Sequence, residues 1–141
     1  MNELRFRFIV EGDDFTSAGQ ASVQVKKNLR QLGIDSETIR RVSIAMYEGE
    51  INMVIHAGGG TAEVLVYENC IEIILEDNGP GIPDIEQAMQ AGYSTAPDKI
   101  RSLGFGAGMG LPNMKKNSDS MDITSTLGVG TRIVMKINYG G

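Results

Sequence analysis

Hydrophobic and polar residues alternate in five segments of the chain. From Leu4 to Val10 every second residue is hydrophobic, and two of the intervening positions are arginines. A period of two predicts strands with one buried face. The other four segments predict two hairpins, residues 61–67 with 70–76 and residues 121–126 with 132–138. The first hairpin turns at Glu68 and Asn69, and the second turns around residues 127–130.

Two longer segments repeat hydrophobic residues at helical spacing. Residues 15–32 predict an amphipathic helix, and Gly33 is placed to end it as a C-terminal cap. A second helix begins at Asp35 or Ser36, since either side chain can cap its first turn. We expect this helix to end before Gly58.

Between the hairpins, residues 84–91 predict a short helix, and Pro112 suits the first turn of another that runs to about residue 117. Residues 92–103 show no periodicity and are interpreted as a mobile lid. The order of the elements lacks the regular alternation of a doubly wound sheet. It predicts an α+β fold in a single domain over residues 1–141, a two-layer α/β sandwich whose mixed, mostly antiparallel sheet carries its helices on one face.

Composition narrows the functional classes. No hydrophobic run approaches the roughly 20 residues of a membrane helix, and the first residues lack the apolar core of a signal peptide, so we expect a cytoplasmic protein. Cys70 is the only cysteine and His56 the only histidine, which excludes an internal disulfide and a zinc cluster. The net charge of −5 gives no basic footprint for nucleic acid.

A run of alternating glycines precedes the short helix at Pro112. Glycine allows close backbone approach, so the N–H groups of this run and of the following helix can converge on phosphate oxygens. The alternative is a flexible linker. The run lacks the Gly-Lys-Ser/Thr ending of a Walker loop and does not fit the dinucleotide pattern. Its glycines are Gly104, Gly106, Gly108 and Gly110.

Asp77 follows a predicted strand and is the only acidic residue followed by such a Gly-x-Gly-x-Pro run, in which Gly79 and Gly81 are the glycines. An ionised carboxylate only accepts hydrogen bonds, so Asp77 can accept from the amino group of adenine, whereas guanine presents an acceptor there. A simple turn is the alternative interpretation, because Asp-x-Gly is common.

Glu48 and Asn52 are four residues apart and therefore share one face of the second predicted helix. An Asn amide oxygen is a suitable ligand for Mg2+, and a nearby Glu can orient or deprotonate an attacking hydroxyl. A solvated helix surface is the alternative. Glu50 lies on another face and is expected to be exposed to solvent. His56 either extends the polar stripe or helps to cap the helix, and Thr131 either offers its hydroxyl to a phosphate or simply faces along a strand.

Together these motifs resemble the three conserved boxes of the GHKL ATPase superfamily, which includes gyrase, histidine kinases and MutL. The boxes are Glu48-x-x-x-Asn52, Asp77-x-Gly79-x-Gly81 and Gly104-x-Gly106-x-Gly108-x-Gly110-Leu111, and Gly128-x-Gly130-Thr131 resembles the end motif of histidine kinases. The resemblance implies the Bergerat ATP-binding fold, Mg2+ on Asn52 and adenine on Asp77. The residues expected to bind the nucleotide are Asn52, Asp77, Gly79, Gly81, Ile82, Gly104, Gly106, Gly108, Met109, Gly110, Leu111 and Thr131.

Within the superfamily, the compact length and residues 108–116 look most like bacterial anti-sigma-factor serine/threonine kinases. That resemblance implies a regulatory kinase that uses ATP and Mg2+, with Glu48 as the catalytic base. The expected partners are a STAS-type antagonist protein, a sigma factor or another regulator, and because the family is often dimeric, a homodimer is a further expectation. The alternatives are a nucleotide-dependent binding module without significant kinase activity and a detached histidine-kinase catalytic domain. The lid departs from the kinases, since few arginines precede the glycines.

Overall fold

A computed structural model describes residues 4–12, 19–82, 85, 89 and 110–139 of the chain. The predicted lid at 92–103 and most of the predicted helix at 84–91 lie outside the described residues. The same holds for Gly104, Gly106, Gly108 and Met109, so their expected contacts with phosphates stay predictions.

The described strands form one five-stranded sheet in the order β1-β2-β3-β5-β4, with every neighbouring pair antiparallel. All described strand pairs are therefore antiparallel, in agreement with the mostly antiparallel sheet that was predicted, and no parallel pair occurs among them. The Tyr67 N–H donates to the Cys70 carbonyl at 2.8 Å, which closes the first hairpin at the predicted two-residue turn. The strands are β1 (Leu4–Glu11), β2 (Gly59–Val66), β3 (Cys70–Asp77), β4 (Ser120–Thr126) and β5 (Gly130–Asn138).

Three described helices complete the fold: α1 (Gln20–Gln31), α2 (Ser36–Ala57) and α3 (Gly110–Lys116). Gly33 takes a positive φ of 77°, and the Ile34 N–H donates to the Leu29 carbonyl at 3.1 Å, so α1 ends as predicted. Asp35 caps α2 by accepting from the Thr38 N–H at 3.0 Å and from its hydroxyl at 2.7 Å. These bonds, the hydroxyl first, hold the pKa of Asp35 below its usual value.

The core lies between one face of the sheet and the helices. On that face Ile73 lies opposite Val64 on one neighbouring strand and Met135 on the other. Helix α2 packs so close to the sheet that a Cβ at Gly49 would lie 2.2 Å from Cδ1 of Leu75. The fully buried side chains include Val25, Leu29, Val42, Met46, Val64, Ile71, Ile73, Met114, Met135 and Ile137. Among the residues described, no helix is long and apolar enough to cross a membrane.

The expectation that Glu50 is exposed is wrong, because this side chain is only 2% exposed. Its carboxylate accepts from three backbone N–H groups at the start of α1: Gly19 at 3.0 Å, Ala21 at 3.2 Å and Ser22 at 2.7 Å. Gly19 is the N-cap residue of α1, and that cap has no side-chain hydrogen bond. Glu50 therefore supplies from α2 the cap that α1 lacks.

Candidate nucleotide-binding and catalytic site

Asp77 lies at the end of β3, where its side chain holds two backbone segments together. The Oδ1 atom accepts from the Gly79 N–H at 2.9 Å and from the Thr131 N–H at 3.2 Å. No described residue donates to the other oxygen, Oδ2, so one half of the carboxylate organises the protein and the other half can accept from an outside donor. This arrangement suits recognition of an amino group by a positioned carboxylate.

The two glycines after Asp77 are required by the fold of the protein itself. A Cβ at Gly79 would lie 2.7 Å from Cα and Cβ of Ala57 at the end of α2. Gly81 has a φ of 84°, and a Cβ there would lie 2.7 Å from the Thr126 carbonyl oxygen. Only glycine fits these positions without displacing backbone. The Asp77 segment is therefore wedged between α2 and the end of β4.

Thr131 belongs to a small polar network beside Asp77. Its Oγ1 lies 2.9 Å from Oγ of Ser125, and the same Ser125 oxygen accepts from the Ile82 N–H at 2.7 Å. Thr131 is 8% exposed, so it is mostly enclosed by the protein. Ile82 is thus tied to the site through its backbone. The two interpretations of the Thr131 hydroxyl stay open, since a hydroxyl bonded to Ser125 can still accept from or donate to a ligand.

Glu48 and Asn52 are brought together with the short helix α3. The Asn113 side-chain N–H donates to Oε2 of Glu48 at 2.9 Å. A Cβ at Gly110 would lie 2.9 Å from Oδ1 of Asn52, so the backbone of α3 rests directly against this amide. Both members of the pair are partly buried. A solvated helix surface therefore does not describe this face of α2.

Helix α2 links the two polar clusters. Met53, the residue after Asn52, approaches Gly60, where an added Cβ would lie 2.8 Å from the Met53 sulfur and 3.1 Å from Cβ of Asp77. The end of α2 also contacts Gly79 through Ala57. The Asp77 segment and the Glu48–Asn52 pair thus lie along the second half of one helix. The side chain of His56, between them in sequence, lies outside the described residues.

The residues of α3 divide between the hydrophobic core and the candidate site. Leu111 and Met114 are buried in the hydrophobic core, whereas Gly110 and Asn113 lie against Asn52 and Glu48. The structure thus gives Leu111, predicted to contact the nucleotide, a packing role that holds α3 in place.

The described residues offer few ligands for a metal ion. No group of three His, Cys, Asp or Glu side chains among them could hold one unaided. Magnesium is bound differently, since it usually keeps several waters and takes one or two protein ligands together with substrate phosphates. A single amide such as that of Asn52 fits this mode of binding.

Residues 37–140 match the family described as the histidine kinase-, DNA gyrase B- and HSP90-like ATPases. The chain belongs to this ATPase family. This is the group of ATPases expected from the Glu48, Asp77 and Gly104–Gly110 motifs, so that resemblance is confirmed. The match begins at α2 and extends beyond β5, which spans every described residue of the candidate site.

Two relatives that resemble this ATPase-family chain over nearly its full length carry regulatory names. The anti-sigma F factor of Clostridium novyi is 34% identical over 141 residues, covering 96% of this chain and 93% of the relative. The serine/threonine-protein kinase RsbT of Bacillus subtilis is 33% identical over 137 residues, covering 94% of this chain and 95% of the relative. The anti-sigma-factor kinase subgroup expected from residues 108–116 is thereby confirmed.

Solved structures confirm the fold. The RsbU and RsbW domains of a Mycobacterium tuberculosis protein superpose with a TM-score of 0.62 at 13% identity, covering all of this chain and 34% of that one. This chain therefore spans about a third of that protein. A chain of the SiaB–SiaC complex of Pseudomonas aeruginosa gives a TM-score of 0.56 at 9% identity, covering 95% and 89%. The predicted ATP-binding α/β sandwich is therefore the fold of this ATPase-family chain.

Sequence reasoning missed three side chains: Asn113 against Glu48, Ser125 against Thr131, and Glu50 beneath α1. The structure pairs Ser125 directly with Thr131 across the second hairpin, whereas the predicted second strand began only at residue 132 and left Thr131 outside it. Asn113 lies three residues after Gly110, on the same face of a short helix, but nothing in the sequence indicates which element that face meets. The Glu50 contacts join residues 28–31 positions apart, beyond any local pattern.

Proposed function

We propose that the protein binds ATP with Mg2+ and transfers the γ-phosphate to a serine or threonine hydroxyl of a small regulatory protein. The observation that carries this proposal is the contact of α3 with both Glu48 and Asn52. It brings a carboxylate and a metal-binding amide to the start of the helix that follows the glycine run. That is the arrangement a phosphotransferase needs, since phosphoryl transfer depends mainly on positioning and on charge stabilisation.

In this proposal Asp77 selects adenine. Its Oδ1 is engaged by the Gly79 and Thr131 N–H groups, and Oδ2 accepts from the adenine amino group. Guanine presents a carbonyl oxygen at that position, so two hydrogen-bond acceptors would face each other and no hydrogen bond could form. The glycine run ending at Gly110 would hold the phosphates through backbone N–H groups.

Glu48 acts as the general base. It takes the proton from the acceptor hydroxyl, whose oxygen forms a bond to the γ-phosphorus while the bond from that phosphorus to the β–γ bridging oxygen breaks. The products are ADP and a phosphoserine or phosphothreonine. Magnesium held by Asn52 and the phosphates would neutralise the charge that develops on the leaving ADP.

The acceptor is proposed from the resemblance to the anti-sigma-factor kinases, which the names of the relatives support. Two of these are an anti-sigma F factor and a serine/threonine-protein kinase, and the solved structures include a two-protein complex. We assign a STAS-type antagonist as phosphate acceptor and a sigma factor or another regulator as a second binding partner. A cytoplasmic location, a single domain over residues 1–141 and a homodimer remain predictions.

The test is incubation of the purified protein with γ-labelled ATP, Mg2+ and a STAS-domain protein of the same organism. We expect acid-stable label on the acceptor, lost in Glu48→Gln and retained in Glu37→Gln. Glu37 is a matched control because it lies on the exposed first turn of the same helix, paired with Arg40. Acid-labile label would instead identify a histidine kinase, and equal transfer by Glu48→Gln would contradict the role of Glu48.

A second function is favoured by the name of the first relative, an anti-sigma factor. In this reading the nucleotide sets the shape of a surface that binds a sigma factor, and phosphate transfer is secondary. Pull-down of sigma factors in ATP and in ADP distinguishes the kinase from the binding module. The binding module would be favoured if sigma-factor binding depends on the nucleotide and persists in Glu48→Gln, while the wild type transfers no label.

A further inference from the structure

The contact between Asn113 and Glu48 joins the short helix α3 to the proposed base. The Asn113 side-chain nitrogen lies 2.9 Å from Oε2 of Glu48. A carboxylate cannot donate, so the amide must present its N–H here, and its orientation is fixed by chemistry. No described residue donates to the other oxygen, Oε1, and none forms an ion pair with Glu48. One oxygen is therefore held and the other is available.

Two contacts fix how α3 lies along α2. Gly110 meets Asn52, and Asn113, one turn later on α3, meets Glu48, one turn earlier on α2. The two helices thus run in opposite directions, with one turn of each in register. On its other side α3 buries Leu111 and Met114 in the core. A rotation or a shift of α3 by one residue would break the hydrogen bond to Glu48 and the close approach of Gly110 to Asn52.

The carbonyl of Asn113 is also engaged. It accepts from the backbone N–H of Asn117 at 3.1 Å and from the Asn117 side chain at 2.9 Å. Asn117 is itself buried. The residue that touches Glu48 is therefore held at its backbone as well as at its side chain.

We propose that Asn113 is the positioning residue for Glu48, and that its place on α3 sets the orientation of the base. Held at Oε2, Glu48 directs Oε1 toward the hydroxyl to be phosphorylated. This inference rests on the proposed function, because it assumes that Glu48 is the base.

The experiment compares Asn113→Ala and Asn113→Asp with wild type in the phosphotransfer assay. We expect Asn113→Ala to lower kcat about 10- to 100-fold, the usual value of a hydrogen bond to a charged group, with the Kd for ATP changed less than about twofold. Asn113→Asp has nearly the same shape but places a second carboxylate beside Glu48. Because two adjacent carboxylates resist double ionisation, the acid limb of its kcat–pH profile should move to higher pH.

The matched control is Asn28→Asp on α1, a partly buried asparagine that accepts a hydrogen bond from the Gln24 side chain, and this change introduces the same charge on a different helix from Asn113 and Glu48. It should leave kcat and the pH profile unchanged. A purely structural role for Asn113 would instead lower thermal stability without moving the acid limb, and that result would overturn the inference.

A readout independent of activity separates this inference from the proposed function. Carbon-13 NMR of the Glu48 carboxyl, assigned by its loss in Glu48→Gln, follows the titration of this group directly. A midpoint that moves to higher pH in Asn113→Asp and not in Asn28→Asp supports the coupling even where no label is transferred to the acceptor. An unmoved midpoint would refute the contact, whatever the kinase assay gives.

Discussion

The two faces of α2 carry glutamates only two residues apart, Glu48 and Glu50, and use them in opposite ways. Glu48 is partly buried, and one of its oxygens accepts a single side-chain hydrogen bond. Glu50 is almost fully buried, and its two oxygens share three backbone donors from the start of α1. The first carboxylate has one oxygen that no described residue occupies, and both oxygens of the second are used in holding two helices together. What separates them is how many acceptor positions the protein has already filled.

Helical geometry explains the division. A step of two residues turns the chain by about 200° around the helix axis, so Glu48 and Glu50 face away from each other. Helix α1 lies on one side of α2 and α3 lies on the other. The proposed base and the structural glutamate can therefore be altered independently, which makes the comparison testable.

The largest expected effect belongs to Glu48. Glu48→Gln keeps the size and the contact with Asn113 but removes the base, and we expect phosphotransfer to fall about 100- to 10,000-fold. Thermal unfolding of the same variant should remain close to wild type. A melting temperature that falls together with the activity would indicate that Glu48 has a structural role like that of Glu50.

Glu50→Ala, unlike Glu48→Gln, should lower the stability of the protein. It leaves three buried N–H groups at the start of α1 without their acceptor, and we expect a loss of about 3 kcal/mol in the free energy of unfolding. Urea denaturation measures this loss. Glu50→Gln retains one acceptor oxygen and should lose less. Equal stability of Glu50→Ala and wild type would show that α1 does not need this cap.

Asp77 extends the comparison, because it resembles Glu48 in having one oxygen engaged and one available. Asp77→Asn retains an acceptor for the Gly79 and Thr131 N–H groups but presents an amide N–H to the adenine amino group. We expect ATP binding to weaken about 10- to 100-fold, with GTP binding unaffected or improved. Isothermal titration calorimetry with both nucleotides measures this, and an unchanged affinity for ATP would remove Asp77 from the adenine site.

The smallest expected effect is in the pH dependence of stability. Burial raises the pKa of Glu50, although hydrogen bonds from Ser22, Gly19 and Ala21 oppose the shift. A carboxyl whose pKa is higher in the folded state contributes stability that is complete below its unfolded value and is lost as the pH rises through its folded value. The free energy of unfolding of wild type relative to Glu50→Gln should therefore decrease as the pH rises above about 4.3, the pKa of an unperturbed glutamate. A difference that stays constant with pH would contradict the raised pKa.

The sequence predicted the local features of this fold well. Gly33, Asp35 and Gly58 marked helix ends, and alternation placed both hairpins, because caps and strand periods are set by neighbouring residues. It also placed Glu48 and Asn52 on one face of a helix and identified the family through its motifs. The wrong expectation for Glu50 came from treating one face of α2 as solvent, since no local pattern indicates that the uncapped end of α1 packs there. Asn113 was missed for a similar reason, because its partner lies 65 positions away.

Gly49 stands between the two glutamates, and its contact with Leu75 determines how far α2 lies from the sheet. Leu75 is 2% exposed and has little room to move, so one added methyl group at position 49 would push the helix outward. Such a displacement would draw Glu48 from Asn113 and Glu50 from α1 in the same movement. The distance between α2 and the sheet at this residue therefore affects both the cap that Glu50 provides for α1 and the hydrogen bond that holds the proposed base.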